Sequence, residues 1–153
     1  MPIKIYGHNL EVIGMATIKC SIVSAEESLF EGTVKRVVAH GGMGDLGILP
    51  NHAPLLTSLL PGPVRVVKED DTEEVFYISG GFLEVQPFEV LVLADTGIRA
   101  EDLDEAAAKA AMISAEKDLN NKVSEQDYSK TALSLAQAAA QLRTIAEVKR
   151  KFK

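Results

Sequence analysis

Between residues 17 and 95, apolar and polar side chains alternate with the period of a β-strand. The alternating runs are rich in Val, Ile, Phe and Tyr, and turn-forming residues separate them at intervals of roughly 8–12 positions. The runs are TIKCSIV, TVKRVVAH, VRVV, VFYIS, FLEVQ and EVLVLAD. Short strands at this spacing are typical of packed antiparallel sheets, so residues 15–98 are predicted to form a β-sandwich or flattened barrel.

The chain contains a single cysteine, Cys20, inside the first predicted strand. Cys20 alternates with Ile18 and Ile22, so its side chain is expected to be buried with theirs rather than reactive. One cysteine also excludes an internal disulfide and suits a reducing compartment.

Two other segments of the predicted sheet have distinctive polar content. In residues 33–38, strict alternation places Val34, Arg36 and Val38 on one face, which is then only partly apolar. The acidic run at residues 69–71 is expected to be a solvated hairpin tip, because adjacent carboxylates at a flexible tip do not converge on a metal.

Glycine and proline are concentrated in residues 41–65, GGMGDLGILPNHAPLLTSLLPGPVR. These residue types restrict or redirect the backbone, and the apolar residues between them are too many for a disordered linker. The segment is therefore predicted to be shaped and packed. Its glycines are not followed by Lys-Ser/Thr and lack G-x-G-x-x-G spacing, so the sequence does not support a phosphate-binding loop.

Beyond the last predicted strand, the period changes to that of an α-helix. Asp102 is predicted to cap a first helix that ends near Leu119, and Glu105 completes a capping box. Ser124 is predicted to cap a second helix that ends near Lys149. The short link between the helices forces them into an antiparallel hairpin.

Apolar residues, half of them alanines, mark the face that each helix is expected to bury. They are Leu103, Ala106, Ala110 and Ile113 on the first helix, and Tyr128, Ala132, Leu135, Ala139, Leu142 and Ala146 on the second. An alanine buries two or three fewer methylenes than a leucine, each worth about 0.8 kcal/mol, so the hairpin is expected to be held weakly. Two interpretations remain open, a stable appendage and an element that detaches and extends.

These patterns divide the chain of 153 residues into three parts and predict an α+β fold. Residues 1–14 are expected to be a poorly ordered extension, residues 15–98 an antiparallel β-sandwich, and residues 99–153 a two-helix hairpin. The net charge of −6 and the isoelectric point near 5.1 argue against a general nucleic-acid binder. No apolar run approaches the length of about 18 residues expected of a transmembrane helix, and no secretory signal is recognised.

No catalytic, cofactor-binding or metal-binding residues are expected. His8, His40 and His52 lack the spacing of metal ligands, and no HExxH, CxxC or G-x-S-x-G pattern occurs. The sequence therefore favours a binding or mechanical protein over an enzyme.

The end of the chain, RTIAEVKRKFK, is strongly basic. Cations suit the C-terminal end of a helix because they complement its dipole, and this explanation is sufficient by itself. A functional interpretation requires an acidic partner surface. The basic residues are Arg143, Lys149, Arg150, Lys151 and Lys153.

Several blocks in order resemble the epsilon subunits of bacterial F-type ATP synthases. The blocks are GDLGILPNHAPLLT at 44–57, PGPVRV at 61–66, ISGGFLEVQP at 78–87, VLADT at 92–96 and RAEDLDEA at 99–106. The resemblance, which covers residues 15–153, implies a non-catalytic central-stalk subunit without a cofactor. It further implies binding to the gamma subunit and the c-subunit ring, and support of the coupling of proton flow to ATP synthesis. The implied location is the cytoplasmic face of the bacterial inner membrane, as a peripheral protein.

The resemblance also implies contacts for particular residues. Asp45 and His52 match the part of the family that faces the c ring, although purely local roles in a turn and a loop remain equally open. In this family the hairpin also extends to the alpha/beta catalytic hexamer and inhibits ATP hydrolysis. The matching contact residues of this inhibitory tail are Arg143, Lys149, Arg150 and Lys151.

One departure from the family pattern concerns nucleotide. Some members bind ATP through an I/L-D-x-x-R-A motif, whereas here Ala107 stands where the motif needs arginine. A triphosphate requires cationic or bidentate donors, and Asp104 alone would repel it, so ATP binding is predicted to be weak or absent. Two alternatives are a nucleotide-sensing module, which Ala107 disfavours, and a free-standing sandwich that binds a small ligand or glycan.

Overall fold

The computed structural model describes residues 16–121 and 124–151, with only the backbone of Lys151. The described part contains nine strands, a short 3₁₀ turn at Ala100–Asp102 and two long helices. The strands are β1 (Ile18–Val23), β2 (Ser28–Gly41), β3 (Gly44–Ile48), β4 (Leu55–Leu59), β5 (Gly62–Lys68), β6 (Glu73–Ile78), β7 (Gly81–Gln86), β8 (Glu89–Ala94) and β9 (Gly97–Arg99). The helices are α1 (Glu105–Asn120) and α2 (Glu125–Lys151).

The strands close around a common core in the order β1-β8-β7-β4-β2-β5-β6-β9. The long strand β2 joins the two sides, because its first part pairs with β1 and its later part pairs with β3 and β5. All these neighbours are antiparallel except β1 and β8, which run parallel. The predicted fold class, a sandwich followed by an antiparallel helical hairpin, is confirmed.

The main hydrophobic core is built from the strand domain. Among the described residues, every member of this core lies between Ile18 and Ala94, and none comes from the hairpin. Phe76 is its largest fully buried side chain and meets Phe30 edge-on, with ring centroids 6.0 Å apart. The sandwich therefore has a core that does not depend on α1 or α2.

Cys20 lies in this core, as predicted. Its side chain is fully buried, and burial raises the pKa of the thiol from 9.0 to about 12. Because the thiolate is the reactive form, the folded protein keeps this cysteine inert.

The predicted face of β2 is wrong beyond Val34. Val34 and Val37 are both fully buried, whereas Arg36 is exposed. The register of β2 against β5 shifts between Val34 and Arg36, which is the signature of a β-bulge. The extra residue changes the side that later residues face, which strict alternation could not anticipate.

Residues 41–65 are packed, as predicted, but they contain two strands that the pattern did not show. β3 pairs with β2 through partners such as Val37 and Ile48, and β4 pairs with β7 through Thr57 and Leu83. Glycines and prolines obscure the strand signal in this segment. The backbone hydrogen bonds to β2 and β7 supply the stabilisation that the local sequence lacks.

The helix boundaries agree with prediction at one N-terminus and differ at the other. Ser124 caps α2, since its hydroxyl accepts a hydrogen bond from the backbone N–H of Asp127 at 3.1 Å. The cap of α1 is Asp104 rather than Asp102, and its carboxylate accepts from the N–H of Ala107 at 3.0 Å. Asp102 belongs to the preceding 3₁₀ turn.

The predicted buried face of α1 is also wrong. Ala108 and Ala115 are its buried residues, whereas Ala106 and Ala110 are exposed and Ile113 is 66% exposed. Leu103 precedes the cap, and alanines occur on several sides of α1, so apolar spacing alone did not single out the side that packs against α2.

On α2, burial is divided between two sides. Ala138, Ala140 and Thr144 are buried, whereas Tyr128 and Ala146 of the predicted stripe are exposed. The reason is that α2 contacts α1 on one side and β5 and β6 on the other, so one stripe cannot describe it. The predicted extension at 1–14 lies outside the described residues, and the division at 98/99 falls within β9.

Candidate interaction surfaces

Asp45 lies near the start of β3, next to the turn between β2 and β3, and its side chain is at the protein surface. Asp45 faces His40 across the two strands, and Nδ1 of His40 lies 2.9 Å from a carboxylate oxygen of Asp45. The Asp45 side chain remains 68% exposed despite this contact. Met43, at the tip of the same turn, is fully exposed. The turn thus offers one carboxylate and one apolar side chain to a partner.

His52 lies in the loop between β3 and β4. Its Nδ1 donates a hydrogen bond to the carbonyl of Ala53 at 2.7 Å, since a carbonyl oxygen only accepts. Asn51 adopts a left-handed conformation with φ of 66°, and its N–H donates to the carbonyl of Pro87 at 2.8 Å. The structure therefore gives both Asp45 and His52 local partners, and it places Asp45 near the start of β3 and His52 beyond its end.

A second surface is the contact between α2 and the sandwich, which we call the seam. Two ion pairs cross or border it: Nη1 of Arg65 lies 3.8 Å from Glu147 on α2, and Nε of Arg65 lies 3.5 Å from Glu73 on β6. Arg143 of α2 donates to the carbonyl of Pro61 at 3.3 Å. Polar contacts thus connect two points of the sandwich, Arg65 and Pro61, to the hairpin.

The middle of the seam is buried but carries little large apolar surface. Thr144 is fully buried, and its hydroxyl donates to the carbonyl of Ala140 on its own helix at 2.8 Å. Tyr77 of β6 is also buried, which raises the pKa of its hydroxyl, whereas Gln141 and Arg143 of α2 act in the opposite direction. Because the residues of α2 here are small or polar, burial alone contributes modestly to holding the hairpin.

Two of the predicted inhibitory-tail residues, Arg143 and Lys149, contact other groups of the chain itself. Nζ of Lys149 lies 2.5 Å from a carboxylate oxygen of Glu105, the first residue of α1, and hydrogen bonds from Lys149 and then Lys109 lower the pKa of Glu105. Arg150 lines a cavity of about 280 Å³ together with Arg65, Val75 and Glu147. Arg143 binds Pro61, as described above, and the side chain of Lys151 lies outside the described residues.

An ion-pair cluster that sequence reasoning missed lies where the sandwich meets the hairpin. Arg99, the last residue of β9, contacts Glu74 of β6 and stacks over the ring of Phe76 at 5.3 Å. Lys68 also binds Glu74. Burial would raise the pKa of Glu74, but the hydrogen bonds from Lys68 and Arg99 outweigh it, so that pKa is lowered.

This cluster fixes the end of the sandwich just before the 3₁₀ turn. A second guanidinium nitrogen of Arg99 donates to the carbonyl of Leu29 at 3.4 Å, which ties β9 to β2 as well. No local sequence pattern signals the cluster, because its members come together only through the β5–β6 and β6–β9 pairings.

Neither a metal-binding cluster nor a membrane-spanning helix is found among the described residues. Across 16–121 and 124–151, no group of three or more His, Cys, Asp or Glu residues could hold a metal ion. Neither of the described helices combines the length and hydropathy needed to span a bilayer. The described part of the chain thus consists of two structural units, a strand domain with its own core and a helical hairpin.

Comparison with known proteins identifies the family. The family model described as the ATP synthase delta/epsilon chain beta-sandwich domain matches residues 17–100, and that of the long alpha-helix domain matches residues 101–146. The chain belongs to the ATP synthase delta/epsilon chain family, whose members are non-catalytic subunits.

Two solved structures contain chains of similar fold. One is Euglena gracilis mitochondrial ATP synthase, with OSCP, F1 and c-ring, where the TM-score is 0.76 at 20% identity and the match covers 88% of this chain and 82% of that one. The other is the central stalk and c-ring of Tetrahymena thermophila mitochondrial ATP synthase, with a TM-score of 0.57, 16% identity and coverage of 86% and 95%. At these identities the likeness concerns the fold alone.

Proposed function

We propose that this chain is the epsilon-type rotor subunit of a proton-translocating F-type ATP synthase. In this role it binds gamma, rests on the c ring and supports the coupling of proton flow to ATP synthesis. Its place is the cytoplasmic face of the bacterial inner membrane, as a peripheral subunit. The match to both family domains and the ordered sequence blocks support this assignment.

The observation that carries the proposal is the separation of the chain into two units with a polar seam. The sandwich has its own core, and α2 lies against it largely through the contacts of Arg65, Tyr77 and Pro61. A hairpin held in this way can leave the sandwich without unfolding it. The same chain can therefore act as a fixed stalk element and as a movable arm.

We propose that the movable arm inhibits ATP hydrolysis when it extends to the alpha/beta catalytic hexamer. Arg143, Lys149 and Arg150 contact or line groups of the chain itself in the compact form. When α2 leaves the sandwich, Arg143 loses Pro61, and Arg150 leaves the cavity beside Arg65. Their charges then become available to acidic segments of the hexamer, with Lys151 as a fourth contact.

The test is ATP hydrolysis by the purified complex with the full chain and with residues 102–153 deleted. Hydrolysis is expected to rise on deletion, and the truncated chain is expected to stay folded and to bind gamma because its core is intact. Unchanged hydrolysis would remove the inhibitory role but leave the stalk role. Failure of the full chain to bind gamma would refute the stalk role.

A charge-matched pair of variants tests the tail directly. The double variant Lys149→Gln and Arg150→Gln is expected to relieve inhibition. The control, Lys117→Gln and Lys130→Gln, removes the same charge from exposed positions on the two helices. Equal relief by both pairs would show that total charge, rather than the tail, controls hydrolysis.

For the c-ring contact, we propose that Asp45 and His52 approach the ring from the sandwich. Asp45→Asn is expected to weaken association of the stalk with the ring, because the carboxylate is mostly exposed. Asp118→Asn, at an exposed position on α1, is the matched control. Ring binding that is unchanged by Asp45→Asn and by His52→Gln would argue for purely local roles.

A further inference from the structure

His40 and Asp45 form the register pair nearest the tip of the β2–β3 hairpin that has a side chain on both strands. A turn at residues 42–43 joins the two strands, and the pair next to this turn is Gly41 with Gly44. Neither glycine has a side chain that could fix the tip, and Gly44 has a φ of +119°. The contact between His40 and Asp45 is therefore the first cross-strand side-chain pair below the turn.

His40 is the better anchored of the two residues. Its carbonyl accepts a hydrogen bond from the N–H of Leu60 at 3.0 Å. Its side chain lies against Gly62 of β5, where an added Cβ would be 3.1 Å from Cβ and 3.3 Å from Cδ2 of His40. The His40 side chain is 29% exposed, whereas that of Asp45 is 68% exposed. The imidazole is thus held by the body of the sandwich, and the carboxylate is held by the imidazole.

The hydrogen bond between the two side chains has a fixed direction. An ionised carboxylate only accepts, so Nδ1 of His40 carries the hydrogen and donates it to Oδ1 of Asp45 at 2.9 Å. Across residues 16–121 and 124–151, Asp45 has no other side-chain hydrogen-bond or ion-pair partner. Its second oxygen is therefore available to a donor from outside the chain, on a carboxylate whose orientation His40 sets.

We propose that His40 is a positioning residue that holds the Asp45 carboxylate ready for its contact with the c ring. This inference rests on the proposed function, in which Asp45 contacts the ring. A side chain that is ordered before binding loses less conformational entropy when the complex forms. His40 therefore contributes to the affinity for the ring by acting through Asp45.

The first test compares His40→Leu with His40→Asn in the stalk assembled from the full chain and gamma, with the purified c ring as the probe. His40→Leu removes the donor, and it is expected to weaken association about three- to tenfold, the range that corresponds to ordering one side chain. His40→Asn keeps an N–H donor at the position of Nδ1, so it is expected to restore most of the affinity. Thermal unfolding of both variants verifies that they fold.

A double-mutant cycle separates positioning from a general effect on the turn. In an Asp45→Ala background, His40→Leu is expected to change ring association less than about twofold, because the carboxylate on which His40 acts is gone. An undiminished effect of His40→Leu in this background would show that His40 does not act through Asp45, and it would overturn the inference.

Nitrogen NMR of the isolated full chain provides a test that does not involve the ring. At a pH where the imidazole is neutral, His40 is expected to carry its hydrogen on Nδ1, and Asp45→Ala is expected to lower the share of this tautomer. The His40 signal is assigned by its absence from the spectrum of His40→Asn. A neutral His40 in the unsubstituted chain that carries its hydrogen on Nε2 would contradict the inference.

The remaining outcomes distinguish this inference from the function on which it rests. If Asp45→Ala weakens ring association and His40→Leu does not, the positioning role is wrong and the proposed contact of Asp45 stands. If Asp45→Ala leaves ring association unchanged, the proposed contact itself is wrong, and the role of His40 toward the ring is refuted with it.

Discussion

The seam between α2 and the sandwich should open more readily when its ion pair is broken. The perturbation is Glu147→Gln, which preserves shape but removes the negative charge that lies 3.8 Å from Arg65. The two side chains are 27% and 24% exposed, so the pair is screened less than a surface pair. Glu73 still faces Arg65 in the variant, which limits the loss.

These facts set the magnitude of the effect. Exposed ion pairs contribute up to about 1 kcal/mol, and removing one partner of a fully buried pair costs about 3–5 kcal/mol. With Glu73 still present, a value near the lower limit, about 1 kcal/mol, is expected for Glu147→Gln. That free energy corresponds to about a fivefold increase in the fraction of molecules with an open seam.

A cysteine introduced in place of Thr144, at the centre of the seam, can be used to measure this opening. Thr144 is fully buried, and by helical spacing it shares a face of α2 with Gln141 and Val148, both of which meet the sandwich. In a Thr144→Cys background, the introduced thiol reacts with a labelling reagent only when the seam opens. Cys20 stays silent in the assay because it is buried in the sandwich core.

Glu147→Gln is expected to speed labelling about fivefold at low salt, and high salt is expected to reduce the difference because it screens the parent ion pair. Glu116→Gln, an exposed carboxylate on α1, is the control and should leave the rate unchanged. A labelling rate that Glu147→Gln does not alter would refute the view that charge holds the hairpin. An equal increase in the control would show a general effect of charge.

Three further predictions concern the core, the buried thiol and nucleotide. Gly81→Ala should lower the free energy of unfolding of the sandwich by about 3 kcal/mol, measured by denaturant unfolding. The reason is that φ at Gly81 is +144° and an added Cβ would clash with the backbone of the next strand. Gly42→Ala is the control and should be nearly neutral, because a Cβ there would meet no atom within 4 Å. Burial raises the pKa of the Cys20 thiol from 9.0 to about 12. Between pH 9 and 12 the thiol therefore ionises in the unfolded chain but not in the folded one, so the free energy of unfolding is unaffected below pH 9 and falls across this window. A Cys20→Ala variant should lack this fall in stability. Ala107 leaves ATP without a cationic donor at this position, so calorimetry should show weak or no binding, and micromolar affinity would contradict the prediction.

The change from strand period to helix period was readable from the sequence because it depends on local geometry. Alternation in β1, β7 and β8 reflects a backbone whose successive side chains point to opposite faces. The cap at Ser124 depends on contacts within one turn and was likewise predictable. The fold class followed from these local patterns, and the family resemblance followed from the ordered blocks.

Features that depend on partners distant in sequence were not predictable. β3 and β4 exist because β2 and β7 offer edges to pair with, although glycines and prolines weaken the local signal. The bulge near Arg36 reverses the expected face because the register with β5 shifts there. The buried side of α1, at Ala108 and Ala115, was misjudged because alanines occur on several of its sides and only its packing against α2 decides which side is buried.

The surfaces were decided by tertiary structure to an even greater degree. The sequence identified the basic tail, but only the packing of α2 shows Arg143 on Pro61 and Lys149 on Glu105. It identified Asp45, whereas the pairing with His40 required the β2–β3 register. Periodicity predicts which side chains are buried, but it does not predict which residues distant in sequence they contact. Those contacts depend on strand register and helix placement, which determine how strongly α2 is held to the sandwich and where each charged side chain lies.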